Sequence, residues 1–87
     1  MIRTDAGVEA KDTDMAPHPW AEMEASYEGK RARVRIDGDP SNAGHPQGWC
    51  LRKYGFIGAN HPGLETLRLE PGKPLRLRYT VTVASVE

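Results

Sequence analysis

Two segments of this chain repeat their apolar residues with a strict period of two, and that period limits what the chain can fold into. In WAEMEASY, residues 20–27, the alternate positions on one face are Ala21, Met23, Ala25 and Tyr27. In RARVRI, residues 31–36, the corresponding positions are Ala32, Val34 and Ile36. Successive side chains of a β-strand point to opposite faces, so this alternation predicts two half-buried strands rather than a helix.

The residues between these strands predict a hairpin. Glu28-Gly29-Lys30-Arg31 suits a two-residue type II′ turn with Gly29 at its first central position. In that register Tyr27 faces Ala32, and Glu24 lies opposite Arg35. Apolar residues then meet apolar residues and an acid meets a base, as a stable strand pair requires.

Further strands are predicted over Trp49–Tyr54 and in the C-terminal third. There, LETLRLE and PLRLRYTVTVAS alternate cleanly around Pro71-Gly72-Lys73. A three-residue loop would pair Leu69 with Leu75, but it also places Arg68 opposite Arg76, an unfavourable like-charge pair. The predicted fold is therefore all-β, with about five antiparallel strands in a meander that forms a small sandwich or barrel.

The domain organisation follows from length and local composition. Eighty-seven residues allow one domain. Residues 1–17 are acidic and poor in apolar side chains, which predicts a flexible, disordered tail. Residues 18–87 are then expected to form a single β domain.

Charge and composition narrow the function classes. Residues 1–28 carry two basic and seven acidic side chains, whereas residues 29–86 carry ten basic and four acidic ones. The near-neutral total argues against a nucleic-acid partner. No apolar run approaches the roughly 20 residues that span a bilayer, and the N-terminus lacks an apolar signal segment, so we expect no membrane association and a cytoplasmic location. A single cysteine, Cys50, excludes an intramolecular disulfide.

All three histidines, His18, His45 and His61, precede a proline. Proline holds its predecessor in an extended conformation, so each imidazole projects from a stiff segment. Their spacing matches no local metal motif, and we predict neither a metal site nor a cofactor. If the protein is catalytic, His45 is the candidate general acid or base.

Two groups of residues are candidates for binding. The first is a basic face formed by Arg31, Arg33, Arg35, Arg68, Arg76 and Arg78, whose planar guanidinium groups suit carboxylates or phosphates. It could equally be a solvated face neutralised by nearby glutamates. The second is the loop DPSNAGHPQGW with the strand that follows it, which supplies Asp39, Asn42, His45, Trp49, Arg52 and Tyr54. Fixed polar groups beside aromatic rings suit a polyhydroxylated ligand, although the prolines and glycines of the loop also suit a simple corner.

Three ordered motifs resemble a known family. The runs PSN-x-x-HP-x-x-W, R-x-YG-x-x-G-x-N and L-x-PG-x-PL-x-LRY are similar to the C-terminal part of the bacterial PmoA-like (methane oxygenase PmoA) family over about residues 20–83. The matching positions of the first two runs are Pro40, Ser41, Asn42, His45, Pro46, Trp49, Tyr54, Gly55, Gly58 and Asn60. A histidine that precedes the proline in the family is Asp39 here. The resemblance covers only the last third of the longer family domains.

The resemblance implies a galactose-mutarotase-type β-sandwich with a role in carbohydrate chemistry. We therefore expect a small domain that binds a small polar ligand such as a sugar and has no catalytic activity of its own. The alternatives are a small sugar-modifying enzyme whose site is completed across a dimer, and a protein-interaction module that uses the basic face. A chain this short gains stability by self-association, so a homodimer is the expected assembly.

Overall fold

The computed structural model describes residues 1–86, which fold into eight β-strands. The strands are β1 (Ile2–Thr4), β2 (Gly7–Val8), β3 (Thr13–Pro17), β4 (Trp20–Tyr27), β5 (Lys30–Gly38), β6 (Gly48–Arg52), β7 (Phe56–Asn60) and β8 (Tyr79–Val86). Every pairing is antiparallel. The predicted all-β class is confirmed, with eight strands in place of about five.

The strands form two sheets that pack as a small sandwich. The larger sheet has the order β2-β1-β4-β5-β8, and the smaller has the order β3-β6-β7. Within residues 1–86 neither sheet closes into a barrel. The same part of the chain contains no helix long and apolar enough to cross a membrane.

The core lies where the smaller sheet covers one end of the larger one. Trp49 and Leu51 alternate on β6 and are fully buried, because they face Ile2 of β1 and Ala21 of β4. Met23, Ile36, Ile57 and Ala59 pack around this centre. The other end of the same face, at β8, receives no such cover, and Val81 and Val83 are 59% and 68% exposed.

The flexible tail predicted for residues 1–17 is wrong, because these residues contribute three strands. Ile2 pairs with Met23 and Thr4 with Ala21, so β1 is a full member of the larger sheet. The main chain of Met1 also exchanges hydrogen bonds with Glu24 in both directions. The acidic composition hid a short apolar strand whose Ile2 side chain is 4% exposed.

The β4–β5 hairpin is confirmed, but its register differs by two residues from the predicted one. The turn is centred on Glu28 and Gly29, with φ of 50° and 78°, and Tyr27 pairs with Lys30. Two positive φ angles are typical of a type I′ turn, whose twist matches that of the flanking strands. A two-residue shift keeps every side chain on its face, so Ala25 now meets Ala32 and Glu24 meets Arg33.

The predicted C-terminal hairpin is also wrong. Residues 61–78 form turns and extended chain without a strand, and β8 begins only at Tyr79 and pairs with β5. Leu64 and Leu69 are consequently exposed. The third predicted strand, Trp49–Tyr54, is confirmed as β6 with bounds shifted to Gly48–Arg52.

Candidate ligand-binding site

The loop between β5 and β6 is organised by hydrogen bonds to its own backbone and to the chain entering β8. The Asp39 carboxylate accepts hydrogen bonds from the backbone N–H and the hydroxyl of Ser41, at 2.8 and 2.6 Å. These bonds to the carboxylate lower the pKa of Asp39. Asn42, 7% exposed, donates through Nδ2 to the carbonyl of Arg78 and accepts through Oδ1 from the Arg78 N–H, both at 2.7 Å. Both side chains therefore have a structural partner already.

The next part of this loop lies against the second histidine-proline segment. A Cβ added to Gly44 would lie 2.7 Å from Nδ1 of His61, so glycine is required for this approach. His45 follows directly, and its Nδ1 is buried without a hydrogen-bond partner. Within residues 1–86 no group of His, Cys, Asp or Glu side chains has the arrangement of a metal site.

The structure removes Trp49 as a platform for stacking a ligand. Its ring is fully buried in the core, and its indole N–H donates to the carbonyl of His18 at 2.6 Å. The alternation of Trp49 and Leu51 with Cys50 and Arg52 places the tryptophan on the inner face of β6.

The other two residues of the predicted loop site are separated from its centre. Arg52 donates to the carbonyl of Thr13 and to the carboxylate of Asp14, at 2.9 and 2.5 Å, and so ties β3 to β6. The hydrogen bond to Asp14 raises the pKa of Arg52. Tyr54, in the β6–β7 turn, is 82% exposed. The six predicted residues are therefore not assembled into one ligand site.

The predicted basic face is divided and partly neutralised. Arg31 pairs with Glu24, Arg33 lies 3.3 Å from Glu22, and Arg35 forms a two-pronged ion pair with Asp37. The guanidinium of Arg35 also lies 4.1 Å from the centre of the Trp20 ring, and its hydrogen bonds to Asp37 raise its pKa.

The remaining arginines, Arg68, Arg76 and Arg78, lie in the segment 61–78 instead of on a strand. They do not share a sheet face with the arginines of β5. The expectation of one continuous basic sheet face is therefore wrong.

A cluster that the sequence analysis missed lies at the β1–β2 hairpin. The His18 Nδ1 is 2.6 Å from an Asp5 carboxylate oxygen, and its Nε2 is 3.7 Å from Glu9. The Thr4 hydroxyl donates to the same Glu9 oxygen at 2.7 Å. His18 is buried, so it links this hairpin to the start of β4. The assignment of residues 1–17 to a tail concealed the cluster, although Asp5, Glu9 and His18 were visible as charged and titratable residues.

Beside this cluster lies a cavity of about 290 Å³. It is lined by Met1, Ile2, Val8, Glu9, Ala10 and Lys53. Lys53 enters from the β6–β7 turn, and its backbone N–H donates to the Asp12 carboxylate at 2.7 Å. The cavity thus combines a carboxylate and an ammonium group with apolar walls, on segments that are fixed by hydrogen bonds.

A second, wider groove of about 360 Å³ follows the turn at residues 69–75. Its walls come from that turn alone, and Leu69 is two-thirds exposed. The cavity at the β1–β2 hairpin is the better candidate site because three separate segments of the fold enclose it.

The comparison with curated proteins and the comparison with solved structures each found no match to this chain. One family model does match, over residues 1–87. The chain therefore belongs to the family of unknown function DUF6807.

Proposed function

We propose that this domain binds a small polar ligand of the carbohydrate class, without catalysis of its own, in the cavity beside the β1–β2 hairpin. The observation that carries the proposal is that Glu9 and Lys53 both line a cavity of about 290 Å³ with apolar walls. Ligand pockets typically combine apolar walls with a few well-placed polar groups, and this volume is at the lower end of their range. A monosaccharide fits that scale.

The chemistry of the lining suits a ligand with hydroxyl groups on one side and C–H groups on the other. The Glu9 carboxylate accepts hydrogen bonds from hydroxyls, and the Lys53 ammonium donates to hydroxyl or carboxylate oxygens. Val8, which is 60% exposed, offers an apolar surface to the C–H face of a sugar ring. The resemblance of the PSN, HP and YG motifs to the PmoA-like family supports carbohydrate as the ligand class.

The Glu9 carboxylate and the main chain of Lys53 are held in place before a ligand arrives. Thr4 fixes the Glu9 carboxylate from one side, at 2.7 Å, and Asp12 anchors the backbone of Lys53. Side chains that are already ordered lose less conformational entropy on binding. This preorganisation favours binding even by so small a site.

The position of His18 favours binding over acid–base catalysis. Its Nε2 is buried behind Glu9, and its Nδ1 is bonded to Asp5. A general acid or base must reach the proton that it transfers. We therefore assign His18 to holding Glu9 and the hairpin in position. A cytoplasmic location belongs to the same proposal.

The test is a titration of the ¹⁵N-labelled protein with glucose, galactose and glucuronate, followed by amide chemical shifts. We expect saturable shifts at Glu9, Ala10 and Lys53 with a dissociation constant of about 1 mM, typical of a few hydrogen bonds in a small site. Glu9→Gln and Lys53→Met should each weaken binding about tenfold. Glu9→Gln keeps an oxygen that can accept from Thr4, so the hairpin should remain folded.

The matched control is Lys30→Met, because Lys30 is an exposed lysine in the β4–β5 hairpin and does not line the cavity. It should leave the titration unchanged. Chemical-shift changes confined to residues 39–47 would show that the ligand binds at the predicted loop and not in the cavity. Absence of saturable shifts with all three sugars would reject carbohydrate binding.

A further inference from the structure

The larger sheet ends in a long edge strand that lacks the usual protection against pairing. β8 reads YTVTVASV, with no charged residue, no proline and no glycine over eight positions. It forms the outer edge of the sheet beside β5. Natural edge strands are usually short, charged, bulged or interrupted by proline, because open backbone groups otherwise recruit another strand.

The other sheet edges of residues 1–86 carry such protection or are shorter. β2 at the opposite edge has two residues. β3 contains Asp14 and Pro17 and changes register between Asp14 and Ala16. β7 has five residues and includes Gly58. β8 is the longest of the four edge strands.

The hairpin geometry shows which backbone groups of β8 face outward. In a two-residue hairpin the residues next to the turn exchange both hydrogen bonds, so Tyr27 and Lys30 form such a pair. Backbone groups of successive residues in a strand point alternately to its two neighbours. Since Lys30 points its N–H and C=O toward β4, Arg33 and Arg35 point theirs toward β8. Their partners Ala84 and Thr82 therefore bond to β5. The hydrogen bond from the Asp39 N–H to the Arg78 carbonyl follows the same alternation, in which odd-numbered residues on the β5 side bond to even-numbered residues on the β8 side.

The outward residues are consequently Tyr79, Val81, Val83 and Ser85. Val81 and Val83 lie opposite Ile36 and Val34, on the sheet face that forms the core further along. Their side chains are nevertheless more than half exposed. One stretch of β8 thus presents free backbone groups and uncovered valines together.

The size of the exposed surface matches what a subunit interface needs. The chain exposes 6270 Å², whereas a compact monomer of 9.6 kDa exposes about 5,100 Å². The excess of about 1,200 Å² is larger than the roughly 800 Å² that each partner buries in a standard interface. Its radius of gyration, 14.4 Å, likewise exceeds the about 12 Å expected for this length.

We propose that β8 pairs antiparallel with β8 of a second copy of this chain, around a twofold axis, to form a continuous ten-stranded sheet. The register that uses all the outward residues places Val81 opposite Val83 of the partner subunit, and Tyr79 opposite Ser85 of the partner subunit. It supplies about eight backbone hydrogen bonds. The two valine pairs lie side by side at the axis, and no charged side chain of β8 opposes another.

The test is sedimentation velocity of the intact chain from about 10 µM to 1 mM, with mixed-label NMR to detect contacts between labelled and unlabelled copies. We expect a concentration-dependent dimer and intermolecular contacts between Val81 and Val83. Val81→Lys should raise the dimer dissociation constant by about tenfold or more, because a lysine then lies against an apolar valine pair. Val8→Lys is the matched control, since Val8 is 60% exposed at the opposite edge, and it should leave the dimer unchanged.

Val83→Pro tests the backbone pairing separately. The Val83 N–H points away from β5, so proline removes an outward donor without breaking the β5–β8 ladder. We expect a monomer with an unchanged far-ultraviolet circular dichroism spectrum. A wild-type chain that stays monomeric at 1 mM would overturn the proposal, as would a dimer that survives Val81→Lys. Neither result bears on sugar binding, because the cavity lies at the other edge of the sheet.

Discussion

Asn42 shows how a residue that suggests a binding site can have its hydrogen-bonding groups occupied by structural partners. Its amide bonds both backbone groups of Arg78, as a neighbouring strand would. Asp39 caps the same loop through Ser41. A sequence pattern identifies which polar groups are present, but whether a group is free depends on partners that are far away in the chain, here 36 residues away.

Replacing Asn42 tests the structural role of this clamp. Asn42→Ala leaves the Arg78 N–H without a partner in a partly buried position and leaves the Arg78 carbonyl with only the bond from the Asp39 N–H, so we expect unfolding free energy to fall by about 1–3 kcal/mol. Thermal or urea denaturation measures the change. Ser41→Ala, an exposed neighbour, should lower it by less than about 1 kcal/mol. Equal effects for the two variants would contradict the clamp.

The depressed pKa of Asp39 predicts an acid-dependent stability. Because its pKa is lower in the folded chain than the ordinary 3.8, the carboxylate stabilises the fold fully above that value and loses its contribution as the pH falls through the lower folded value. Asp39→Asn should flatten the pH dependence of stability in that acidic range. The measurement is urea denaturation between pH 2 and pH 6. A difference confined to pH above 5 would contradict the assignment.

The burial of Trp49 was partly readable from the sequence. Trp49 and Leu51 are two residues apart, so they share one face of the strand. Both are apolar, whereas Arg52 on the other face is charged, which indicates that the Trp49 face is the buried one. The sequence could not show that β6 belongs to a separate sheet packed on the β4–β5 hairpin, because the strands beside β6 are weakly patterned. β3 includes Pro17 and β7 includes Gly58.

At the scale of elements, the β4–β5 hairpin shows which part of a strand pair a pattern determines. Faces repeat every two residues, so both registers keep the same residues on each face. The observed register places Glu22 opposite Arg35 and Glu24 opposite Arg33, whereas the predicted one would place Glu22 opposite Asp37. The charges and the turn therefore both favour the observed register. Glu28 adopts a positive φ of 50°, which glutamate does not favour. A preference for Gly at the first turn position therefore misplaced the centre by one residue.

The same turn offers a route to a more stable hairpin. Asn tolerates a positive φ better than glutamate, and Asn-Gly is the preferred pair in a type I′ turn. Glu28→Asn should therefore raise unfolding free energy by about 0.5–1 kcal/mol. Denaturation melts of Glu28→Asn and of the control Glu28→Gln, which keeps the backbone cost, measure the difference. A loss of stability in the asparagine variant would argue for the Gly29-Lys30 turn.

The predicted C-terminal hairpin had alternating apolar and polar residues, but its two strands were not suitable partners for each other. Its predicted register set Arg68 against Arg76, whereas residues 79–86 could instead join β5, where the valines of β8 meet Val34 and Ile36. The second arrangement pairs apolar side chains across the ladder and avoids the like-charge pair. Alternation predicts a strand's faces but leaves its neighbour undetermined.

At the scale of the whole molecule, the N-terminal residues complete the larger sheet and supply Ile2 to the core. Sequence reasoning gave the all-β class from the strong alternation of residues 20–36. It missed β1 because three residues are too few to display a period. The candidate cavity was missed for the same reason, since five of its six lining residues lie in this region.

Ile2 allows the role of the N-terminal strand to be measured directly. Ile2→Ala removes a side chain that contacts the buried core, so unfolding free energy should fall by about 2–4 kcal/mol. Val8→Ala, at an exposed site in the adjacent strand, should cost less than about 0.5 kcal/mol. A flexible tail predicts no effect for either variant, so urea denaturation of the two separates the possibilities.

The way β8 is attached makes the chain divisible. β8 pairs with β5 along its whole length. Its covalent connection to the preceding strand runs through residues 61–78, which form no strand. Cutting at Pro71-Gly72 would therefore leave two pieces whose complementary surfaces are intact. A peptide of residues 72–87 could then rebuild the sheet when added to residues 1–71, and this chain would serve as a two-part reporter of molecular proximity.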